Sequence, residues 1–474
     1  MTAQAHRAPG RAAPGRHSAI LPPDTLLLVD VVLILAVSGG MLWSFGVNYD
    51  GLTGSAVQKI HPSTYLTMLL FAWTVFRSGD PVGRFVTLAG RHPGSLLMAF
   101  AGFAFFVEIA ARAAPGVAGA IDTFLVPGLV AMLLFERSSA SLRRVETVVH
   151  AVMLANAALG LVEFVSGQRF FPYRLDGAVF ETDTRSAALQ GHPLGNATLT
   201  ACYVLMLATG GATLRPASRL AMVALQCAAL VTFGGRSGIV VTLVLGGGNG
   251  LVRLGGLVAR GRVPLLGAAV ALLVLPLVPV GIGILAYLGF FTALLDRFAA
   301  DGGSANARVA MFDLFGQLPL RGLVVAPDTD LVETLRRIDG LEWGIENPVI
   351  RTLLYHGAVV TAALTGAVTL FLVELARRCR RGIALPMIAF LVLINTFESI
   401  GGKTTLLSKF VVLLLVLYRR PDRPAPSGAP PSPRATATAG STWPSGPRRP
   451  NPSTRFHMAQ GNPKPSALRR TSPM

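Results

Sequence analysis

Charge is scarce in this chain. Only 14% of its 474 residues are Asp, Glu, Lys or Arg, where a soluble domain carries about 25%. That excludes an ordinary water-soluble enzyme. Cysteine is scarcer still: Cys202, Cys227 and Cys379 lie far apart, and none falls in an expected outer loop. Neither a disulfide framework nor a zinc site follows from that spacing. Acidic residues are in deficit, since 42 Lys+Arg minus 24 Asp+Glu leaves +18. The excess does not describe a nucleic-acid-binding surface once it is located. From Arg419 to Met474 ten Lys/Arg face Asp422 alone, a net of +9, so half the net charge sits in one terminal tail. The chain has no nucleotide-binding loop, no metal-ligand cluster and no Ser/His/Asp spacing. It has no internal repeat of fixed period, which weighs against transporter folds built from paired repeats. No cleavable signal peptide is expected, because the first apolar run, from near Thr25, is too long for a signal h-region.

What the chain does have is apolar length. Hydrophobic residues make up 52% of it, and its mean hydropathy is +0.55. A membrane span needs roughly 20 apolar residues, within a range of about 17–25. Candidate runs lie at about 25–47, 63–77, 94–113, 118–135, 146–166, 193–214, 219–234, 238–255, 264–290, 348–375, 383–400 and 404–418. The expected fold class is therefore an all-α polytopic membrane protein of about twelve transmembrane helices, with the lipid bilayer as its first partner. The arginines alternate in side. One set of connections holds Arg77, Arg84, Arg91, Arg137, Arg143, Arg144, Arg215, Arg219, Arg253, Arg260, Arg262, Arg377, Arg378, Arg380 and Arg381; the short connections on the other side hold little beyond Lys59, Arg236 and Lys403. The positive-inside rule then puts both termini in the cytoplasm. Two outer loops are long, about 167–192 and 291–346, and the second carries nine Asp/Glu and five Arg. Residues 1–22 and 419–474 are rich in Pro, Gly, Ser and Arg without apolar periodicity. They read as a disordered basic arm and tail on either side of a membrane domain at 23–418.

Polar groups at the outer face are where chemistry is sought. Arg236 stands in Gly234-Gly235-Arg236-Ser237-Gly238 between two spans. It is either an interfacial snorkel or an anion ligand. The glycines would let backbone N–H groups approach a phosphate, and a helix starting at Ser237 would turn its positive end toward it. Arg308 lies one turn into a helix expected to start at Ser304, as an anion ligand or an ion-paired surface residue. Glu346 and Asn347 precede Pro348, a residue that suits a first helical position. Asn347 is a natural N-cap. Glu346 could complement the helix dipole or act as a general base. Arg351 falls about one turn into the following span, where a charge lines a cavity or pairs. His356 is deeper and reads as a hydrogen-bonded packing residue. Arg185 and the pair His192-Pro193 add polar groups from the first long loop. An outer-face enzyme without ATP needs a pre-activated donor. Outward arginines beside lipid suit a lipid-linked diphosphate, whose oxygens guanidinium groups grip two at a time.

These segments resemble a known family. Thr232-Phe233-Gly234-Gly235-Arg236-Ser237-Gly238 resembles the "T-x-S-R-x-G" signature of the O-antigen ligase and Wzy-type polymerase superfamily. Arg297-Phe298 through Ser304 and Arg308 to Leu320-Arg321-Gly322 resembles its "R-F…S…R…P-x-x-G" outer loop. Glu346-Asn347 with Leu353 and Gly357 resembles its "H-N-x-x-L-x-x-x-x-x-G" helix start, and Arg185 with His192-Pro193-Leu194-Gly195-Asn196 its "R…P-N" loop. The similarity spans about residues 145–400, and the His-Pro-Leu and Glu-Asn variants look most like the VpsF-like exopolysaccharide branch. The resemblance implies a GT-C-like bundle with a large periplasmic loop after the ninth helix, in the bacterial inner membrane. It implies transfer of glycan from an undecaprenyl-diphosphate-linked oligosaccharide, with no cofactor and no metal. Arg236 and Arg308 would bind the diphosphate, and polysaccharide-export components are further candidate partners. The family's catalytic histidine falls at Glu346. A carboxylate can serve as the base by a different mechanism; the alternative is an inactive accessory protein of the pathway. A ligase with another acceptor and a transporter or flippase are the remaining readings. Asp30, Glu108 and Glu163 are scattered candidates for a transport path.

Overall fold

The computed structural model describes residues 23–114, 116–179, 185–261, 277–299, 304–325, 327–341, 344–397 and 400–419. The arm 1–22 and the tail from 420 onward, expected to be disordered, lie outside the described residues, as does the stretch 262–276, which takes in the first half of the apolar run 264–290.

The chain is mostly helical. In order, the helices are α1 (Pro23–Ala36), α2 (Gly39–Ser44), α3 (Pro62–Phe76), α4 (Pro81–Arg91), α5 (Pro93–Ala111), α6 (Val117–Phe135), α7 (Ser139–Ser166), α8 (Pro193–Ala208), α9 (Pro216–Phe233), α10 (Arg236–Ala259), α11 (Leu277–Tyr287), α12 (Thr292–Ala299), α13 (Ser304–Gln317), α14 (Leu320–Val325), α15 (Thr329–Ile338), α16 (Pro348–Arg378), α17 (Ala384–Ile394) and α18 (Leu406–Leu417). One small hairpin, β1 (Arg174–Leu175) with β2 (Ala178–Val179), interrupts this pattern inside the first long loop. Proline opens α3, α5, α8, α9 and α16 at a first-turn position, where its missing N–H leaves no helical bond unmade.

Part of every one of the twelve apolar runs is helical. Six of the described helices, α5, α6, α7, α9, α10 and α16, are long and apolar enough to cross a membrane. Four apolar helices are shorter: α3, α8, α17 and α18. The shortness of α18 has a physical reason. All twelve of its residues are buried. A mostly apolar run of about 10–14 residues is too short to span and belongs in a protein core. It lies among α1, α6, α7 and α8, and its Phe410 ring stacks on Phe390 of α17 at 3.9 Å between centroids. By contrast, α10 is only 11% buried over its most apolar stretch, so its Leu and Val side chains face outward as lipid-facing residues do. Small residues let α5 and α6 cross closely: a Cβ on Gly102 would strike the backbone of Leu125, and one on Gly128 the carbonyl of Ser95.

The arginines gather at one end of the bundle and close helix termini there. Arg380 Nη2 donates to the Leu417 carbonyl at 2.9 Å, Arg253 Nη1 to Ala208 at 3.1 Å and Arg419 Nη1 to Ser139 at 3.1 Å. Arg137 pairs with Asp24 at 3.2 Å, and Arg378 donates to the Arg91 carbonyl. The carbonyls of a last helical turn have no intrahelical partner, which suits Leu417, Ala208 and Arg91 to an arginine, while Ser139 lies at the start of α7.

The second long loop is largely structured among its described residues. Met311 and Leu314 of α13, Leu318 just past its end, Leu323 of α14, Val332 of α15 and Leu354 of α16 form one apolar cluster with Leu341 and Ile345. The lobe therefore seats on the first half of α16. That helix kinks at Gly357, where φ is 84° and an added Cβ would lie 2.9 Å from the Val324 carbonyl of α14. Glycine serves there both for its positive φ and for the close approach.

Candidate functional site

The segment linking α17 to α18 gathers the motifs expected at the outer face, and nothing in its sequence singled it out. Its Asn395 accepts from the Asn347 side chain at 3.4 Å. Its Thr396 hydroxyl lies 3.1 Å from that of Ser237. Its Phe397 ring stacks with His192 at 6.2 Å between centroids. A Cβ on its Gly401 would sit 2.9 Å from Pro348 Cα and 3.3 Å from Arg351 Cδ. Three motifs distant in sequence thus meet around one connection.

Each predicted residue has a definite place. Helix α10 begins at Arg236, one residue before Ser237, after Gly234 in the left-handed region at φ 64°. A Cβ on Gly235 would strike that of Ala197, so only glycine lets the Arg236 turn lie against the first turn of α8. Asn347 does cap α16: its Oδ1 accepts from Val349 N at 2.9 Å and Ile350 N at 3.1 Å. Glu346 is half-buried directly before it. His192 does not cap α8 with its side chain; its ring instead stands between Phe397 and Tyr173, the latter edge-on at 5.8 Å. Next to Arg185, Ser186 donates its N–H to the Thr232 carbonyl, four residues before Arg236. Arg351 lies over Tyr355 at 5.7 Å, and the Tyr355 hydroxyl donates to Glu333 of α15 at 2.7 Å. Arg308 is on α13, but its side chain lies outside the described residues.

His356 is a packing residue in the sense expected of it. Its Nδ1 is 3.0 Å from Glu108, whose other oxygen pairs with Arg112 at 2.8 Å. The same Arg112 donates to the carbonyls of Tyr355 and Pro327 and so ties α5 to the second loop. The other scattered carboxylates have separate partners, although Asp30 Oδ1 has none among the described residues. Asp30 accepts from Thr67 at 2.8 Å, and Glu163 from the backbone N–H groups of Phe170, Ala187 and Ala188.

Next to these segments lies a polar cluster that the sequence reading missed. Asp122 sits in a π-helical stretch, Ala120–Leu125, inside α6, and is fully buried. It accepts from the Tyr49 hydroxyl at 2.9 Å, Thr64 Oγ1 at 2.6 Å and the His61 N–H at 3.1 Å. Its neighbour Thr123 donates to the Gly402 carbonyl at 3.0 Å and accepts from Thr404 N at 3.0 Å. Lys403 lies over the Tyr49 ring at 3.9 Å and donates to the Tyr49 carbonyl. Lys409, buried on α18, donates to Gln190 Oε1 at 2.6 Å, two residues before His192. Burial pushes the nearby Asp50 carboxyl up to about 6, against the pull of Lys403, Lys409 and Lys59. The signal was available: an acid in the run 118–135 and a lysine in the run 404–418 are ionisable groups inside apolar stretches, which mark sites by default.

Loop one is pinned from the side. Asp176, at the hairpin turn, accepts from Thr53 Oγ1 at 2.6 Å, Asn48 Nδ2 at 2.8 Å and the N–H groups of Leu52 and Thr53 at 3.0 Å. These bonds, the Thr53 hydroxyl first, hold its carboxyl well below the usual carboxylate range. A depressed acid is held in its charged form. The tie is therefore complete above the ordinary aspartate value of about 3.9 and is lost only in stronger acid. A spin label at the exposed Leu52 position is expected to keep one mobility from pH 8 down to about pH 4. It should loosen across that whole range in Asp176→Ala. Loosening of the otherwise unchanged protein between pH 8 and about pH 5 would contradict the assignment.

Among the described residues no group of three or more His, Cys, Asp or Glu could hold a metal ion. The arrangement as it stands is an all-α membrane protein with a basic end and an opposite end where amide, hydroxyl, imidazole, carboxylate and guanidinium groups converge. No protein-family model matches this sequence, and no curated protein or solved structure matches it.

Proposed function

We propose that the protein is a polysaccharide polymerase of the bacterial inner membrane, acting on undecaprenyl-diphosphate-linked oligosaccharide at the periplasmic face. The observation that carries this is the meeting of the Arg236, His192 and Asn347 segments around Asn395–Gly401. They are the same segments in which the sequence resembles the O-antigen ligase and Wzy-type polymerase superfamily. In this reading the chain has about twelve spans in a GT-C-like bundle. The basic end and both termini are cytoplasmic, and residues 291–346 form the large periplasmic loop.

Glu346 takes the proton of an acceptor sugar hydroxyl. The hydroxyl oxygen attacks the anomeric carbon of the donor, a glycosidic C–O bond forms, and the bond from that carbon to the diphosphate oxygen breaks. Undecaprenyl diphosphate leaves with the bonding electron pair. Arg236 and Arg308 hold the diphosphate and stabilise the charge it gains. Asn347 fixes Glu346 at the helix mouth through its cap, and Arg185, His192 and Arg351 line the same end. The separate structural partners of Asp30, Glu108 and Glu163 favour this reading over a transport path, which needs polar groups that are continuous near the midplane.

In a strain lacking the gene, the full chain should restore long polymer on a gel. The Asp330→Cys variant should react with an impermeant maleimide in intact spheroplasts. Normal polymer in the deletion strain, or an introduced thiol that the maleimide reaches only after the membrane is opened, sinks the proposal.

A further inference from the structure

The basic end of the bundle contains a cavity of about 300 Å³ lined by Ser139, Arg143, Glu146, Thr213, Arg380 and Arg419, with Val416 and Leu417 as its apolar wall. Three guanidinium groups face one carboxylate, and that carboxylate is already committed. Glu146 Oε1 accepts from Thr213 N at 2.5 Å and Thr213 Oγ1 at 2.9 Å, and Oε2 lies 3.5 Å from Arg419. Arg380 uses Nη2 on the Leu417 carbonyl, while its buried Nε has no hydrogen-bond partner among the described residues. Arg143 is exposed at the rim, one turn into α7. An excess of guanidinium over carboxylate among the described residues and two hydroxyl-bearing side chains are what a phosphate diester meets in a binding site. The cavity opens where α7 begins and just past the ends of α16 and α18, which the proposed topology sets at headgroup depth. Basic pockets between helices at that depth take anionic headgroups.

We propose that this cavity binds the phosphodiester headgroup of an anionic phospholipid, at the opposite end of the molecule from the glycan-transfer site. Arg143 and Arg380 grip the phosphate oxygens. Arg419 stays shared between Glu146 and the Ser139 carbonyl.

The test uses the full chain in detergent, with phosphatidylglycerol and phosphatidylcholine offered in equal amounts and retained lipid counted by native mass spectrometry. One phosphatidylglycerol per protein should be retained, with a preference that falls about tenfold or more in the Arg143→Gln/Arg380→Gln double variant. Arg143→Gln alone, at an exposed position, should already lower it and keeps the test open should the double variant fail to insert. Inorganic phosphate alone separates the two sources of the same chemistry. No displacement by millimolar phosphate is the result expected of a lipid site. Displacement by micromolar phosphate assigns the cavity to a soluble anion and overturns the lipid as its occupant. Equal retention of the two lipids, or an undiminished preference in both variants, overturns the site itself.

Discussion

Arg236→Lys is expected to lose most long polymer while the protein still inserts at normal abundance. Lysine keeps the charge but not the planar fork that holds two phosphate oxygens, and loss of one preorganised donor of this kind costs about 10²–10³ in rate. The local fold should tolerate it. The turn is set by Gly234 and Gly235 against Ala197, not by the arginine. Arg308→Lys should act likewise. Glu346→Gln keeps size and hydrogen bonding but cannot take a proton, and removing a general base costs about 10²–10⁴-fold. Polymer length on a gel reads all three. Failure of the arginine variants beside normal polymer from Glu346→Gln would move the base elsewhere, with His192 next in line. Normal polymer from all three removes diphosphate transfer as the activity and leaves a transporter or scaffold.

Asp122→Ala should fail for a different reason. The carboxylate is the acceptor for three donors from the start of α3 and the segment before it: Tyr49, His61 and Thr64. Alanine leaves all three buried without their partner. Each buried donor left unsatisfied costs about 1–3 kcal/mol, a large part in sum of the roughly 5–15 kcal/mol that holds a protein folded. The expected result is a sharp drop in the thermal midpoint of the detergent-solubilised protein and low abundance in the membrane. Asp122→Asn keeps one acceptor oxygen and should fall between. A midpoint for Asp122→Ala equivalent to a change within about 0.5 kcal/mol, as for an ordinary surface substitution, would contradict the role given to this network.

The helices were legible because apolar length and proline placement act locally. Pro348 with Asn347 fixed the start of α16, and the charge-poor runs located every apolar helix described here. Which of those helices sit inside the bundle was not legible. The run 404–418 looks like a lipid-facing span until α18 is seen buried on every side. The outer-face residues could be named one by one, since each broke an apolar pattern. Their meeting point could not. It depends on the turn after α17, whose Asn395, Thr396 and Phe397 are unremarkable as a sequence and matter only through contacts with residues 48 to 205 positions away. Asp122 and Lys409 were open to the same argument that picked out Asp30, Glu108 and Glu163. Runs read as uniformly apolar concealed them.

The most direct test is transfer by the purified full chain in liposomes, given an undecaprenyl-diphosphate-linked repeat unit with labelled glycan and no nucleotide or metal. The proposed reaction predicts labelled chains longer than one repeat, release of one undecaprenyl diphosphate per bond formed, and loss of both in Arg236→Lys. Labelled donor recovered unchanged at normal protein content, or moved across the bilayer without any new glycosidic bond, would contradict it.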